Sequence, residues 1–382
     1  MLDFADSELA KQVGQLFIVG FDGATPQAPH AVRQALAAGT IGGAILFRRN
    51  VDNVDQVAAL TADLHGAAAP APYLPFVAVD QEGGRVVRLK EPLTPLPTAR
   101  ALGAARDLRD VSRVSEVLAT ELSTLGFNLN FAPVLDVDTN PDNPVIGDRA
   151  FSDDPTHVAR CGAGFMLGHH AAGVVPCGKH FPGHGDTTTD SHLELPRLDH
   201  DRARLDEVEL YPFQRNIAAG IPMLMTAHIM IPALDPDHPA TLSAPIIDGL
   251  LRDELGFDGV VITDCLEMKA VADRYEIEEM IDLGISAGVD LFLICHTEAK
   301  WTAAVEHLYQ RASTDELVRR RVEESAARVV QLKEDLMGHW PRPWEPQPSF
   351  KESLGLDTDR ALVAPYLDNT PRADPTEADS AT

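Results

Sequence analysis

The sequence predicts an α/β protein: a single (β/α)8 TIM-type barrel with a C-terminal helix and an acidic tail. Three observations predict it. Eight short apolar runs recur along the chain, and they are continuous rather than alternating, as in parallel strands buried on both faces. Amphipathic stretches of helical period separate them. Several of those stretches stop at a glycine (Gly39, Gly126, Gly173, Gly220, Gly256, Gly288), the residue that best tolerates a left-handed helix cap.

The strands are expected at residues 15–20, 42–47, 76–80, 129–136, 174–180, 223–228, 259–264 and 289–294. The clearest helices between them are expected at 51–65, 110–125, 155–171, 205–219 and 244–255, with a last long helix at 314–337. An open doubly wound sheet is the alternative. The barrel domain is placed at residues 1–340 and a Pro/aromatic extension at 341–356. Residues 357–382 are expected to form a disordered tail, because that segment is acidic, alanine-rich and poor in apolar anchors.

Composition narrows the partners. Hydrophobic residues make up 45% of the 382, enough for a sizeable core. Lys plus Arg is 32 against 58 for Asp plus Glu, a formal charge of −26. Such a surface repels nucleic acid and anionic membranes, so neither is an expected partner. The four cysteines are widely spaced, without a C-x-x-C pair, which suits a reducing compartment. The first residues lack a basic region followed by a long apolar run, and no stretch approaches ~20 apolar residues. A cytoplasmic protein is therefore expected.

In a barrel, reactive groups sit where strands end. Here Asp80, Asp136, Lys179, His180, His228 and Asp264 end otherwise apolar runs. Any one of them could cap a helix or bond a loop. Five strands bringing ionisable groups to one rim argue for a shared polar pocket. Residues 178–196, GKHFPGHGDTTTDSHLELP, form a Gly- and Thr-rich stretch that cannot sustain a helix. It reads as a long loop over the barrel mouth, and loops of that length are usually functional. His180, His184, Asp186, Asp190 and His192 in it are all metal-ligand types. The helical i, i+4 histidine pair of H-E-x-x-H sites is missing, however.

KHFPGHGDT followed by DSH, with VDQEGGRVVRL from Val79, NFAPVLDVDTNPDNPVIGDRAF, MLMTAHIMIPALDPDHPATLS and GFDGVVITDCLEMKA, resembles family-three glycoside hydrolases of the β-N-acetylglucosaminidase branch. The matching motifs run in order from about Leu16 to about Leu293. The resemblance implies a retaining β-N-acetylhexosaminidase with no metal and no cofactor. It assigns the nucleophile to Asp264 of the ITD motif, and the general acid/base to His192 of the DSH motif, oriented by Asp190. It implies sugar contacts from Asp80, Arg88, Arg149, Lys179 and His180. The implied substrates are small N-acetylglucosaminyl saccharides, including peptidoglycan fragments recycled in the cytoplasm, handled by a monomer or weak dimer.

The chemistry is coherent. A carboxylate attacks the anomeric carbon while an acid protonates the departing oxygen. A histidine, with an ordinary pKa of about 6.5, can both give and retake that proton. Glu82 and Arg85 are expected to brace the neighbouring loop as a pair, His184 and Asp186 to hold the histidine loop, and His228 to stand behind the site. Three other functions are compatible with the residues: a β-glucosidase of the same family, a phosphorylase, and a non-catalytic sugar-binding barrel.

Overall fold

The computed structural model describes residues 6–188, 194–367 and 374. Its centre is a closed barrel of eight parallel strands in sequential order. They are β1 (Phe17–Val19), β2 (Gly43–Leu46), β3 (Phe76–Val79), β4 (Leu129–Asn130), β5 (Val175–Phe181), β6 (Met223–Thr226), β7 (Val260–Cys265) and β8 (Leu291–Ile294). The surrounding helices are α1 (Ser7–Gln15), α2 (His30–Ala38), α3 (Val54–Ala67), α4 (Ala99–Gly103), α5 (Arg109–Thr124), α6 (Pro155–Ala171), α7 (Arg202–Glu207) and α8 (Tyr211–Ala218). A π-helix at Pro245–Glu254 precedes β7, and α9 (Lys269–Ala272), α10 (Ile277–Ala287), α11 (Glu298–Thr314), α12 (Glu316–Met337) and α13 (Asp357–Val363) follow it.

Two apolar layers explain why the strand sequences lack alternation. One set of side chains, including Ile18, Ile45, Phe76, Leu129, Val175, Met223, Val260 and Leu291, packs inside the barrel. The other, including Phe17, Val19, Leu46, Val77, Leu224 and Val261, packs against the helices. Both faces are dry, so both are apolar. Gly43 lets β3 approach closely: a Cβ there would lie 2.5 Å from the Phe76 carbonyl oxygen and 2.6 Å from its Cβ. The N-terminal end of the barrel is closed by Leu332 and Met337 of α12, with Trp340 and Trp344 of the following extension. Lys333, 2% exposed, reaches between them and donates to Gln15 Oε1 (2.8 Å) and the Gly42 carbonyl (3.0 Å), with its Nζ 4.4 Å from the centre of the Phe76 ring.

The structure departs from the sequence expectations in four places. The fourth strand is two residues long rather than eight, because Pro133 has no N–H to give the ladder. The chain nonetheless keeps company with β5 through Lys179 N–H to the Pro133 carbonyl (3.0 Å) and Leu135 N–H to the Lys179 carbonyl (2.6 Å), and this carries Asp136 to the rim. The helix expected at 205–219 is divided into α7 and α8, with Pro212 in the first turn of the second; a proline there starts a helix and disfavours continuing one through it. The helix expected at 244–255 is wound with i→i+5 bonds, for example Leu255 N–H to the Leu250 carbonyl at 2.9 Å. Finally, the segment assigned to a disordered tail begins with an ordered helix. Val363 of α13 is fully buried, Tyr366 donates to Asp110 Oδ2 (2.6 Å), and Arg360 donates to the Gly355 (2.9 Å) and Pro92 (2.8 Å) carbonyls. Three anchors suffice where the acidic composition suggested none.

The four cysteines are free and buried. Among the described residues no helix is long and apolar enough to cross a membrane.

Candidate active site

The C-terminal ends of β3, β5 and β7, with the chain just past β4, deliver the polar groups that the sequence singled out. Asp264 is the one residue of β7 that is not fully buried. Its Oδ1 accepts the Cys265 N–H at 2.7 Å. It does not cap the helix that follows: α9 starts from Met268, with no side-chain cap. A carboxylate on a rigid strand, open on one side, suits attack better than capping.

Beside it lies a chain of alternating charges. Lys179 Nζ touches both Asp80 Oδ1 and Glu82 Oε1, each at 2.7 Å. Arg149 grips Glu82 with two bonds of 2.8 Å, and holds the Val145 carbonyl at 3.2 Å. Arg88 Nη2 faces Asp80 Oδ2 at 3.8 Å. Burial alone would raise the Glu82 carboxyl, but Arg149 and Lys179 outweigh it and hold the group well below the ordinary carboxylate range. The same burial works against the Lys179 ammonium, and Asp80 and Glu82 override it, so the lysine stays charged. Arg149 is likewise raised by Glu82 against burial. The result is a fixed set of ionised groups in a poorly screened place, with Asp80 15% exposed and so able to accept from a sugar hydroxyl.

Asp136, fully buried, organises the start of the histidine loop. It accepts His180 Nδ1–H (2.7 Å), His180 N–H (3.2 Å) and His184 N–H (2.7 Å). Burial pushes its carboxyl up, and His180 and the other donors pull it below its usual value. The bond at Nδ1 fixes the orientation of the His180 ring. His184 is buried, which lowers it to about 4, and it pairs with Thr187 Oγ1 (2.7 Å). It is a neutral scaffold residue that ties residues 184–187 to Asn143, whose side-chain amide donates to the His184 carbonyl at 2.9 Å.

The site thus brings together Asp80, Arg88, Arg149, Lys179 and, through Asp136, His180. Asp190 and His192 lie outside the described residues. His228 bonds Thr241 Oγ1 and the Cys265 carbonyl, each at 2.9 Å, and so supports the backbone next to Asp264. Glu82 and Arg85 are not a pair. Arg85 binds Asp148 (2.9 Å) and the Val145 carbonyl (3.0 Å), whereas Glu82 is the hub of the charged chain. The available signal was its position, two residues beyond Asp80 in the loop that leaves β3. Asp186 pairs with His200, across the stem of the histidine loop, and Arg204 bridges to Glu209 at 3.1 Å. Asp186, His200 and Glu209 are close enough together for one ion, and the hydrogen bond and the arginine already satisfy them.

The chain matches the glycosyl hydrolase family 3 N terminal domain over residues 8–332. Beta-hexosaminidase A of Pseudoalteromonas piscicida is 40% identical to it over 332 residues. That alignment covers 81% of this chain and 56% of the relative, so the chain spans little more than half of that protein's length. A family 3 beta-N-acetylglucosaminidase from Paenibacillus sp. str. FPU-7 has the same fold at a TM-score of 0.88 and 40% identity, over 94% of this chain and 68% of the other. NagZ from Neisseria gonorrhoeae, solved in complex with N-trifluoroacetyl-D-glucosamine, is similar at a TM-score of 0.70 and 31% identity, over 91% of this chain and 98% of its own.

Proposed function

The chain belongs to glycosyl hydrolase family 3, and from that membership and the rim geometry we propose that it is a retaining β-N-acetylhexosaminidase releasing terminal N-acetylglucosamine. The observation that carries the proposal is the placement of Asp264: the single partly open residue of a buried strand, on the rim that also holds Asp80, Lys179 and Arg88. Asp80 accepts from sugar hydroxyls, and Arg149, Lys179 and His180 complete the binding wall. The Asp264 carboxylate attacks the anomeric carbon, and the bond to the leaving oxygen breaks as that oxygen takes a proton. Water then attacks the glycosyl ester and gives its proton back to the same acid/base. His192, oriented by Asp190, is the proposed acid/base; this assignment rests on the DSH motif. The natural substrate is proposed to be an N-acetylglucosaminyl saccharide, with N-acetylglucosaminyl anhydro-muropeptide the first to test.

The test uses an aryl N-acetylglucosaminide and a fluorinated glycosyl analogue that accumulates on the nucleophile. Asp264→Asn should abolish trapping and lower turnover by roughly 10⁴-fold or more. Trapping on another carboxylate would refute the assignment. Products formed with and without phosphate separate hydrolysis from phosphorolysis, and no turnover of any aryl glycoside would indicate a sugar-binding barrel.

A further inference from the structure

Asp374, near the end of the chain, meets the charged residues of the rim. The chain is fastened as far as Tyr366 by α13 and the Tyr366–Asp110 bond. From Leu367 it has seven residues in which to reach Asp374, a span of up to about 25 Å. The Asp374 carboxylate ion-pairs with Nη1 of Arg88, whose other terminal nitrogen, Nη2, faces Asp80. Arg88 is 1% exposed and the Asp374 side chain 9%, so this is no solvent-screened surface pair. Arg88 also comes from the loop after β3, the same loop that carries Asp80 and Glu82.

We infer that Asp374 is a positioning residue of the sugar pocket, acting through Arg88 on Asp80. A guanidinium is a planar fork, so fixing one arm fixes the other. With Nη1 held by Asp374, Nη2 is aimed at Asp80 Oδ2, while Lys179 holds Oδ1 of the same carboxylate. Asp80 is thereby braced from both sides, with 15% of its side chain left exposed to accept from a hydroxyl. A buried guanidinium with a second carboxylate beside it is also better compensated than one without it. Asp374 is thus part of the binding site, through Arg88. This inference rests on the proposed function for its substrate, so its test includes a binding measurement independent of turnover.

The experiment compares the full chain with Asp374→Asn and Asp374→Glu. It measures kcat and KM on an aryl N-acetylglucosaminide, the calorimetric Kd of N-acetylglucosamine, and the melting temperature. Loss of a charge-assisted contact acting through one intermediary should raise KM and Kd about tenfold in Asp374→Asn. The kcat should stay within about twofold, because the reacting groups are untouched. Asp374→Glu should recover part of the binding loss, and part of the fall in melting temperature of several degrees that Asp374→Asn should show because the buried Arg88 guanidinium has one carboxylate fewer. Unchanged KM and Kd in Asp374→Asn would overturn the inference. So would tighter binding, which would make the tail an obstruction, and so would a glutamate no better than asparagine. A wild-type protein that neither binds nor cleaves the N-acetylglucosaminyl ligands would overturn the proposed function and this inference together.

Discussion

Replacing Glu82 by glutamine removes one anion from a buried cluster and leaves its cations in place. The side chains of Glu82, Arg149 and Lys179 are 5%, 3% and 3% exposed, so water compensates little. Lys179 keeps Asp80, but Arg149 loses a two-pronged carboxylate and keeps the Val145 carbonyl. Removing one partner of a buried pair costs about 3–5 kcal/mol. Glutamine keeps the volume and one acceptor, so the lower figure of about 3 kcal/mol is the one to expect. At about 2 °C per kcal/mol for a chain of this size, the melting temperature should fall by roughly 6 °C at pH 7. The pH dependence gives a second handle. The Glu82 carboxyl is held below its ordinary value, so its contribution is fully present above about pH 5 and is lost as acidification approaches its folded value. The gap in stability between wild type and Glu82→Gln should therefore be constant from pH 5 to 7 and shrink only below about pH 4. Calorimetry or circular-dichroism melting across that range reads both effects. A melting temperature within about 1 °C of wild type at pH 7, or a gap that widens on acidification, would refute the account of Glu82 as the hub.

Other perturbations give further tests. If His192 is the general acid, His192→Ala should lose about 10²–10⁴-fold in kcat/KM on a disaccharide and much less on a dinitrophenyl glycoside, whose leaving group needs little protonation; equal losses on both would point to a binding role. Lys333 is pushed down to about 7, mainly by burial, although two oxygens and a ring face favour its ammonium. A lysine depressed in the fold destabilises the native state most when charged, so wild type should gain stability relative to Lys333→Met between pH 7 and 9, measured by urea unfolding; a gap that does not move would mean the ammonium stays charged there. Deleting residues 357–382 should lower the melting temperature by several degrees, because Val363 alone buries about 2 kcal/mol of apolar surface and Tyr366 and Arg360 are lost with it; unchanged melting would show that α13 adds nothing. Exhaustive chelation should leave turnover intact, and activity lost and then restored by zinc would establish a metal requirement.

The barrel was legible because each strand must be apolar on both faces, and eight such runs separated by helical periods have few other solutions. Asp80, Lys179 and Asp264 were legible for a related reason: a charge ending an apolar run has few places to be except the rim. The pairing of those charges was not. Glu82 and Arg85 are near neighbours in sequence, yet the arginine turns to Asp148 and the glutamate to residues 67 and 97 positions away, Arg149 and Lys179. Such partners depend on how loops from three strands meet, which no local pattern encodes. Helix α13 escaped for a different reason. Its composition is that of a solvated segment, and its order comes from a few anchors: Val363 is buried, and Arg360 and Tyr366 reach Pro92 and Asp110, more than 200 residues upstream. The contact of Asp374 with Arg88 has the same character, a pairing 286 positions apart.

The packed interior and the lower closure by Leu332, Lys333, Met337, Trp340 and Trp344 give the barrel a one-way geography. Whatever reacts at Asp264 arrives and departs through the upper rim. On the proposed mechanism, leaving group, water and released sugar would then share that doorway and use it in turn. A glycosyl ester on Asp264 would wait there until the aglycone had cleared the path. Alcohols or sugars supplied in excess would then queue at that doorway beside water, and the ratio of transfer to hydrolysis would report how the traffic is ordered.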